Sequence, residues 1–412
     1  MTLPLNKVVT VVSLFRLYVS LISAFGEMKL IELAALCFPS ASATAKSCFH
    51  LVIFSWYQFY SASRALNNPI EVTLFILSFY QLHKDGMASP SVTYLMYAGP
   101  SILIRSSGFA CYFAMFLYHF FQCGDKIGLV FGAVKMTLMV LAMGLGYDFL
   151  WYGRITIAMV NFLTVNVIDG VAVLFGTQGG YSWYLVQGFP VINGLAYLFG
   201  LVGFVRYGSK VPIIRVMGLA VLFGWAFMEF GCAHKEFRYV HWSAPFFTLC
   251  AAPFLSCSPK WLTRLFGVAN LAVAMYMGFI HQRGQIDMAH HFRSKFCAQN
   301  FNYTFYGPCH IMPGEYGRYC LSGAHLNIRQ LQCDRVVMKD DTEVDRFNRH
   351  PAEFVEADLE RSGEPDFVIF FDGHEDALIP IMDKRGYSLY DRFFHAHLPN
   401  DDQTASITVY RR

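Results

Sequence analysis

His234-Lys235-Glu236-Phe237-Arg238-Tyr239 sets four ionisable side chains close together between two apolar stretches. Charges at a membrane boundary are costly unless they pair or bind something. Lys235 and Arg238 suit a lipid phosphate, Lys as a point charge and Arg through a bidentate fork. Glu236 would then orient a sugar hydroxyl or one of the two cations. The same residues also read as a solvated turn with an internal ion pair. A second polar concentration runs from Tyr147 to Tyr184 and includes Asp148, Arg154, Asn161, Asn166 and Gln178. It is apolar enough to lie in a membrane interface and too polar to cross one. The pattern predicts one or two horizontal amphipathic helices over 148–183, or an interfacial loop with snorkelling aromatics.

Composition says what must position these groups. Of 412 residues, 55% are hydrophobic, 17% aromatic and only 15% charged, which argues against a cytosolic enzyme and for a multi-pass membrane protein. Hydropathy predicts helices near 8–25, 48–62, 69–82, 91–104, 107–122, 127–147, 184–205, 213–231, 242–257 and 262–281, about ten in all, with 30–38 as a half-span or interfacial helix. Residues 1–281 carry 17 basic and 9 acidic side chains, whereas 282–412 carry 15 and 20. The expected organisation is therefore a transmembrane domain over 1–281 and a soluble domain over 282–412. No repeat, phosphate-binding Gly loop or basic nucleic-acid face is present, and no clustered metal-ligand spacing suggests a catalytic metal or another cofactor.

Arg206, Lys210 and Arg215 lie in one short connection and Lys260 and Arg264 in another, and positive loops stay cytosolic. Alternation then puts 148–183, 231–241 and everything after His281 on the opposite, luminal side. The tail agrees with an oxidising compartment, expected to be the endoplasmic reticulum. It contains the glycosylation acceptor Asn302-Tyr303-Thr304 and the cysteines Cys297, Cys309, Cys320 and Cys333, which allow two disulfides in any of three connectivities. Its patterning predicts a small α/β domain, with strands over 366–371, 387–395 and 406–410 and a helix over 374–384. His395 and His397 are read as sharing one strand face, and the acidic run 340–345 as a solvated loop.

His234-Lys235-Glu236-Phe237-Arg238 resembles the His-Lys-Glu-x-Arg motif of the endoplasmic-reticulum α-mannosyltransferases of glycosyltransferase family 22. Other segments follow in family order and are most similar to the branch that adds the third mannose of the GPI anchor: Arg64 through Glu71, Leu103-Ile104-Arg105-Ser106, Tyr152-Gly153-Arg154, Asn161-Phe162-Leu163, Gln187-Gly188-Phe189-Pro190-Val191, His281-Gln282-Arg283-Gly284 and Phe394 through Pro399. The resemblance covers almost the whole chain. It implies a GT-C type membrane fold and transfer of α1,2-linked mannose from dolichyl-phosphate-mannose to a dimannosyl GPI precursor glycolipid. It also implies donor and substrate contacts at His234, Lys235, Arg238, Arg105, Arg154 and Gln187. The alternative function is a non-catalytic lipid-handling or transport protein on the same scaffold.

The sequence departs from the family pattern in two places. The family carries Pro-Asp-Glu in an early luminal loop, whose carboxylate is the expected base. Nothing before Arg64 contains Asp-Glu, so this chain is expected to start well inside the pattern and to lack that base, as an inactive protein or one truncated from an active parent, unless another carboxylate serves. Gln178 through Tyr184 stands where the family has His-Pro-Trp-His-Trp-Tyr. Inverting transfer from a β-linked donor needs a base at the acceptor hydroxyl and cations at the departing phosphate. Asp148 and Glu236 are the carboxylates that topology leaves for the first task.

Overall fold

A computed structural model describes the chain except residues 1–4, 39–41, 65, 169–179, 233, 297–298, 309–325, 334–340 and 399–402, with backbone alone at 5–12, 163, 166–167 and 326. It divides into two compact units, 12–274 and 1–11 with 275–412.

The first unit is helical. α1 (Leu5–Cys37), α2 (Ser42–Ile53), α3 (Trp56–Ala62), α4 (Asn68–Asp85), α5 (Leu95–Ile104), α6 (Phe109–Gln122) and α7 (Lys126–Tyr152) are followed by the short α8 (Ala158–Leu163), then α9 (Phe189–Asn193), α10 (Leu195–Tyr207), α11 (Pro212–Gly231), α12 (Ala244–Ser256) and α13 (Lys260–Phe279). By length and composition, three of these helices can cross a membrane, or four if a bent pair counts as one span, among the described residues. Local sequence explains several of the helix ends. Asp125 caps α7 by accepting from Gly128 N at 2.9 Å, and Gly153 closes it in the left-handed conformation at φ 66°. Pro69 opens α4 and Gly86, at φ 81°, ends it.

Four boundaries differ from the hydropathy reading. The patch at 30–38 continues α1, which runs unbroken through Gly26, where the helix packs closely on Thr73 of α4, to Cys37. The stretch at 48–62 breaks at Ser55, whose hydroxyl caps α3 by accepting from Gln58 N. Helix α7 runs on to Tyr152, so Asp148 is helical and the interfacial segment reduces to α8 and a π-helical turn at Thr164–Ile168 before the undescribed residues. The expected span 184–205 is bent by 108° at Gly194, whose φ of 54° and ψ of −136° suit glycine. Beyond that bend α10 packs tightly on α12: a Cβ on Gly203 would stand 1.9 Å from the Cys250 carbonyl oxygen.

In the second unit, α14 (Gly284–Phe296) precedes β1 (Phe301–Tyr306), β2 (Leu326–Gln330), α15 (Glu343–Arg349), α16 (Pro351–Ser362), β3 (Phe367–Phe371), α17 (Glu375–Lys384), β4 (Ser388–Phe394) and β5 (Ser406–Arg411). The sheet order is β2-β1-β3-β5-β4, parallel among β2, β1 and β3 and antiparallel at β5 and β4. Both faces are covered, which is why β3 reads as an unbroken apolar run. Phe367, Ile369 and Phe371 pack with Phe292 and Phe296 of α14, while Val368 and Phe370 pack with Leu359 and Met382.

Two tail expectations are corrected. The acidic run is a helix start: Thr342 and Asp345 form a capping box for α15, and Glu343 is buried. His395 and His397 lie beyond β4, His395 buried and His397 exposed, so they share no face. Cys333 is disulfide-bonded, while Cys297, Cys309 and Cys320 lie outside the described residues. Asn302 is exposed on β1.

Candidate functional site

The start of α4, the end of α5 and the connection after α11 are distant in sequence and meet in the helical unit. Asn68 Nδ2 donates to the Arg238 carbonyl at 2.7 Å, tying the connection to α4. Glu71 and Arg105 face each other, Oε2 to Nε at 3.1 Å. The Arg105 guanidinium lies 5.2 Å from the Tyr239 ring centre, and the Arg238 guanidinium 5.7 Å from it. Such cation–ring contacts hold a guanidinium in place without consuming its donors.

Glu236 is the hub of the connection. Its carboxylate takes hydrogen bonds from Arg238 Nη2 at 2.9 Å and Tyr239 Oη at 3.3 Å, and lies 2.7 Å from His234 Nε2. Burial alone would raise its pKa, but the contacts with His234 and Arg238 outweigh that and hold the carboxyl at about 2. A carboxylate held this strongly ionised is a weak base at neutral pH. It fixes Arg238 instead, whose side chain remains 46% exposed.

Lys235 points the other way. Its ammonium donates to the Met228 carbonyl at 2.9 Å and the Glu229 carbonyl at 2.5 Å, and stands 3.6 Å from Glu229 Oε1. Its side chain is 3% exposed. The expected pairing of Lys235 with Arg238 on one phosphate therefore meets two cations on opposite sides of the loop. The chain is extended at Glu236 and turns into a 3-10 helix over Phe237–Ser243, so Lys235 packs against the end of α11 while Glu236 faces Arg238.

Asp148, Arg154 and Gln187 take no part in these hydrogen bonds and ion pairs among the described residues. Asp148 Oδ2 accepts from Ala158 N at 2.8 Å and so caps α8. Arg154 lines a cavity of about 390 Å³ with Tyr152, Thr156, Asn161 and Phe162. Gln187 is exposed in a π-helical turn at Tyr184–Gly188. Just before that turn, the Trp183 ring packs 5.0 Å from Phe237. The sequence reading also missed participants. Glu71 and Glu229 are acidic residues in apolar helices, and an ionisable group there calls for a partner. Tyr239 carries no such signal, since its importance lies in the cations around it.

The profile of the Alg9-like mannosyltransferase family matches residues 2–316. The chain belongs to this family. Human GPI alpha-1,2-mannosyltransferase 3 is 27% identical over 412 residues, covering 96% of this chain and 72% of that protein. Among solved structures, ArnT from Cupriavidus metallidurans in the apo state superposes with a TM-score of 0.54 at 12% identity, covering 96% of this chain and 83% of ArnT. ArnT bound to undecaprenyl phosphate gives a TM-score of 0.50 over the same shares. At that identity the likeness shows the fold alone. This Alg9-like mannosyltransferase is a membrane glycosyltransferase with the GT-C architecture expected from its sequence.

Proposed function

We propose that this Alg9-like mannosyltransferase moves mannose from dolichyl-phosphate-mannose, in α1,2 linkage, to the dimannosyl GPI precursor, at the luminal face of the endoplasmic reticulum membrane. The observation that carries the reading is the open Arg238 guanidinium, fixed by Glu236 and set over Tyr239 with Arg105 on the same ring. Two guanidiniums on one aromatic platform suit the departing phosphate of a β-linked lipid donor, where negative charge grows as the sugar leaves. The human relative's name supplies the acceptor and linkage, and the undecaprenyl phosphate bound to ArnT supplies the precedent for a lipid phosphate on this fold.

In this reading His234 and Glu236 position Arg238, and Glu236 does not take the acceptor proton. Of the two carboxylates left for that proton, Asp148 remains; it caps α8 at Ala158, beside the cavity that Arg154 lines, and Gln187 is exposed. The disulfide at Cys333 and the exposed Asn302 support a luminal tail. The test is expression in cells deficient in the third GPI mannosyl transfer. Return of surface GPI-anchored protein, with loss of the accumulated dimannosyl precursor, is expected. Persistence of that precursor in cells containing the folded, membrane-inserted chain overturns the reading.

A further inference from the structure

Glu229 is a buried acid in an apolar helix, and its carboxylate joins three segments. Oε2 accepts from Tyr184 N at 3.2 Å and from Trp225 Nε1 at 3.1 Å, while Oε1 stands 3.6 Å from the Lys235 ammonium. Lys235 covers the last carbonyls of α11 and lies 5.2 Å from the Tyr184 ring centre. Cations at a helix C-terminus are favourable, and this one is also neutralised by a carboxylate from the same helix end. The pair therefore holds the end of α11, the start of the turn at 184–188 and the loop carrying His234, Glu236 and Arg238.

We infer that Lys235 and Glu229 form a buried clamp that positions the phosphate-binding loop, and that Lys235 does not contact the donor. This rests on the proposed reading for its activity readout, though the clamp itself is visible without it. Removing one partner of a buried ion pair leaves the other charge uncompensated, whereas removing both charges together costs far less. A phosphate ligand behaves differently, because its loss cannot be repaired by a change at Glu229.

The experiment uses the full chain in detergent or nanodiscs and compares Lys235→Met, Glu229→Gln and the double variant. Transfer from dolichyl-phosphate-mannose is the first readout. Folded yield together with labelling of Cys232, the free thiol just after α11, is the second. Either single change is expected to lower kcat at least ten-fold with the donor KM within about two-fold, and to speed Cys232 labelling. The double variant is expected to recover at least ten-fold in kcat over Lys235→Met and to return labelling toward wild type. A double variant no better than Lys235→Met in yield, labelling and kcat overturns the clamp, as does a Lys235→Met loss appearing as a raised donor KM that Glu229→Gln leaves in place. If the unmodified chain transfers no mannose, the functional reading fails by itself. Yield and Cys232 labelling then decide the clamp.

Discussion

The loop at 234–239 and the ion-pair network of the tail are both dense in charge, and they handle it differently. In the tail, Asp358 accepts from Tyr306 Oη at 2.9 Å, Arg329 Nη2 at 2.5 Å and Arg361 Nη2 at 2.8 Å, and Glu343 accepts from Gln332 N at 2.9 Å. The acids are buried and their partners close on them, which knits α15 and α16 to β1 and β2. Around Tyr239, the buried Glu71 oxygens and Arg105 Nε face each other without a hydrogen bond, and Arg238 is left open. Buried polar groups are normally satisfied, so an incomplete set calls for an explanation. The tail network spends its charge on cohesion. The helical unit keeps guanidinium capacity for a ligand.

Breaking the closed network should have the largest effect on stability. Asp358→Ala removes the buried acceptor shared by Tyr306, Arg329 and Arg361 and is expected to cost about 1–3 kcal/mol, read as a lower thermal midpoint and faster proteolysis of the tail. If the midpoint is unchanged, the network is not what holds the tail together. At the open site the loss should fall on chemistry instead. Arg238→Ala is expected to lower kcat by about 10² to 10³ with little change in unfolding temperature, and Arg238→Lys to restore only part of it, because the bidentate fork is gone. Normal transfer by folded Arg238→Ala protein would remove Arg238 from the site.

Acidification separates the regions more finely. The folded pKa of Glu236 lies below its ordinary value of 4.5, so the stability it contributes is complete above about pH 4.5 and is lost as pH falls through about 2. Thermal stability should show no Glu236 contribution to its pH dependence between pH 5 and 8, and Glu236→Gln should lack the part of the acid loss below that range. An identical acid profile in the two proteins contradicts the clamped carboxylate. The smallest expected effect is at Asn302. Asn302→Gln should abolish the endoglycosidase-sensitive mobility shift and leave kinetics within about two-fold, since an exposed surface position contributes little energy. An unshifted native protein would remove the glycosylation argument for a luminal tail.

Much of the architecture was legible because it depends on local composition. The apolar runs around α4, α6, α11, α12 and α13 mark helices of the first unit, and the switch to a charged tail marks where the second begins. Phe367–Phe371 reads as a doubly buried strand from its own five residues. β1 and β2 were missed, since Asn302, Thr304, Asn327 and Arg329 interrupt their apolar pattern and their place in the sheet comes from pairing across long separations. The bend at Gly194 was hidden for a related reason: hydropathy sums along the chain and carries no direction.

At the site, the sequence by itself determined which groups exist: two cations and an acid in one loop, and an acid and an arginine at the ends of two helices. Only the tertiary structure decided how they divide. Lys235 is buried because Glu229 and the end of α11 are there to receive it, and Arg238 stays open because Glu236 and Tyr239 fix it from one side. Charge is a property of a residue. Its availability to a ligand depends on which neighbours have already claimed it, and those neighbours come from parts of the chain that meet only on folding.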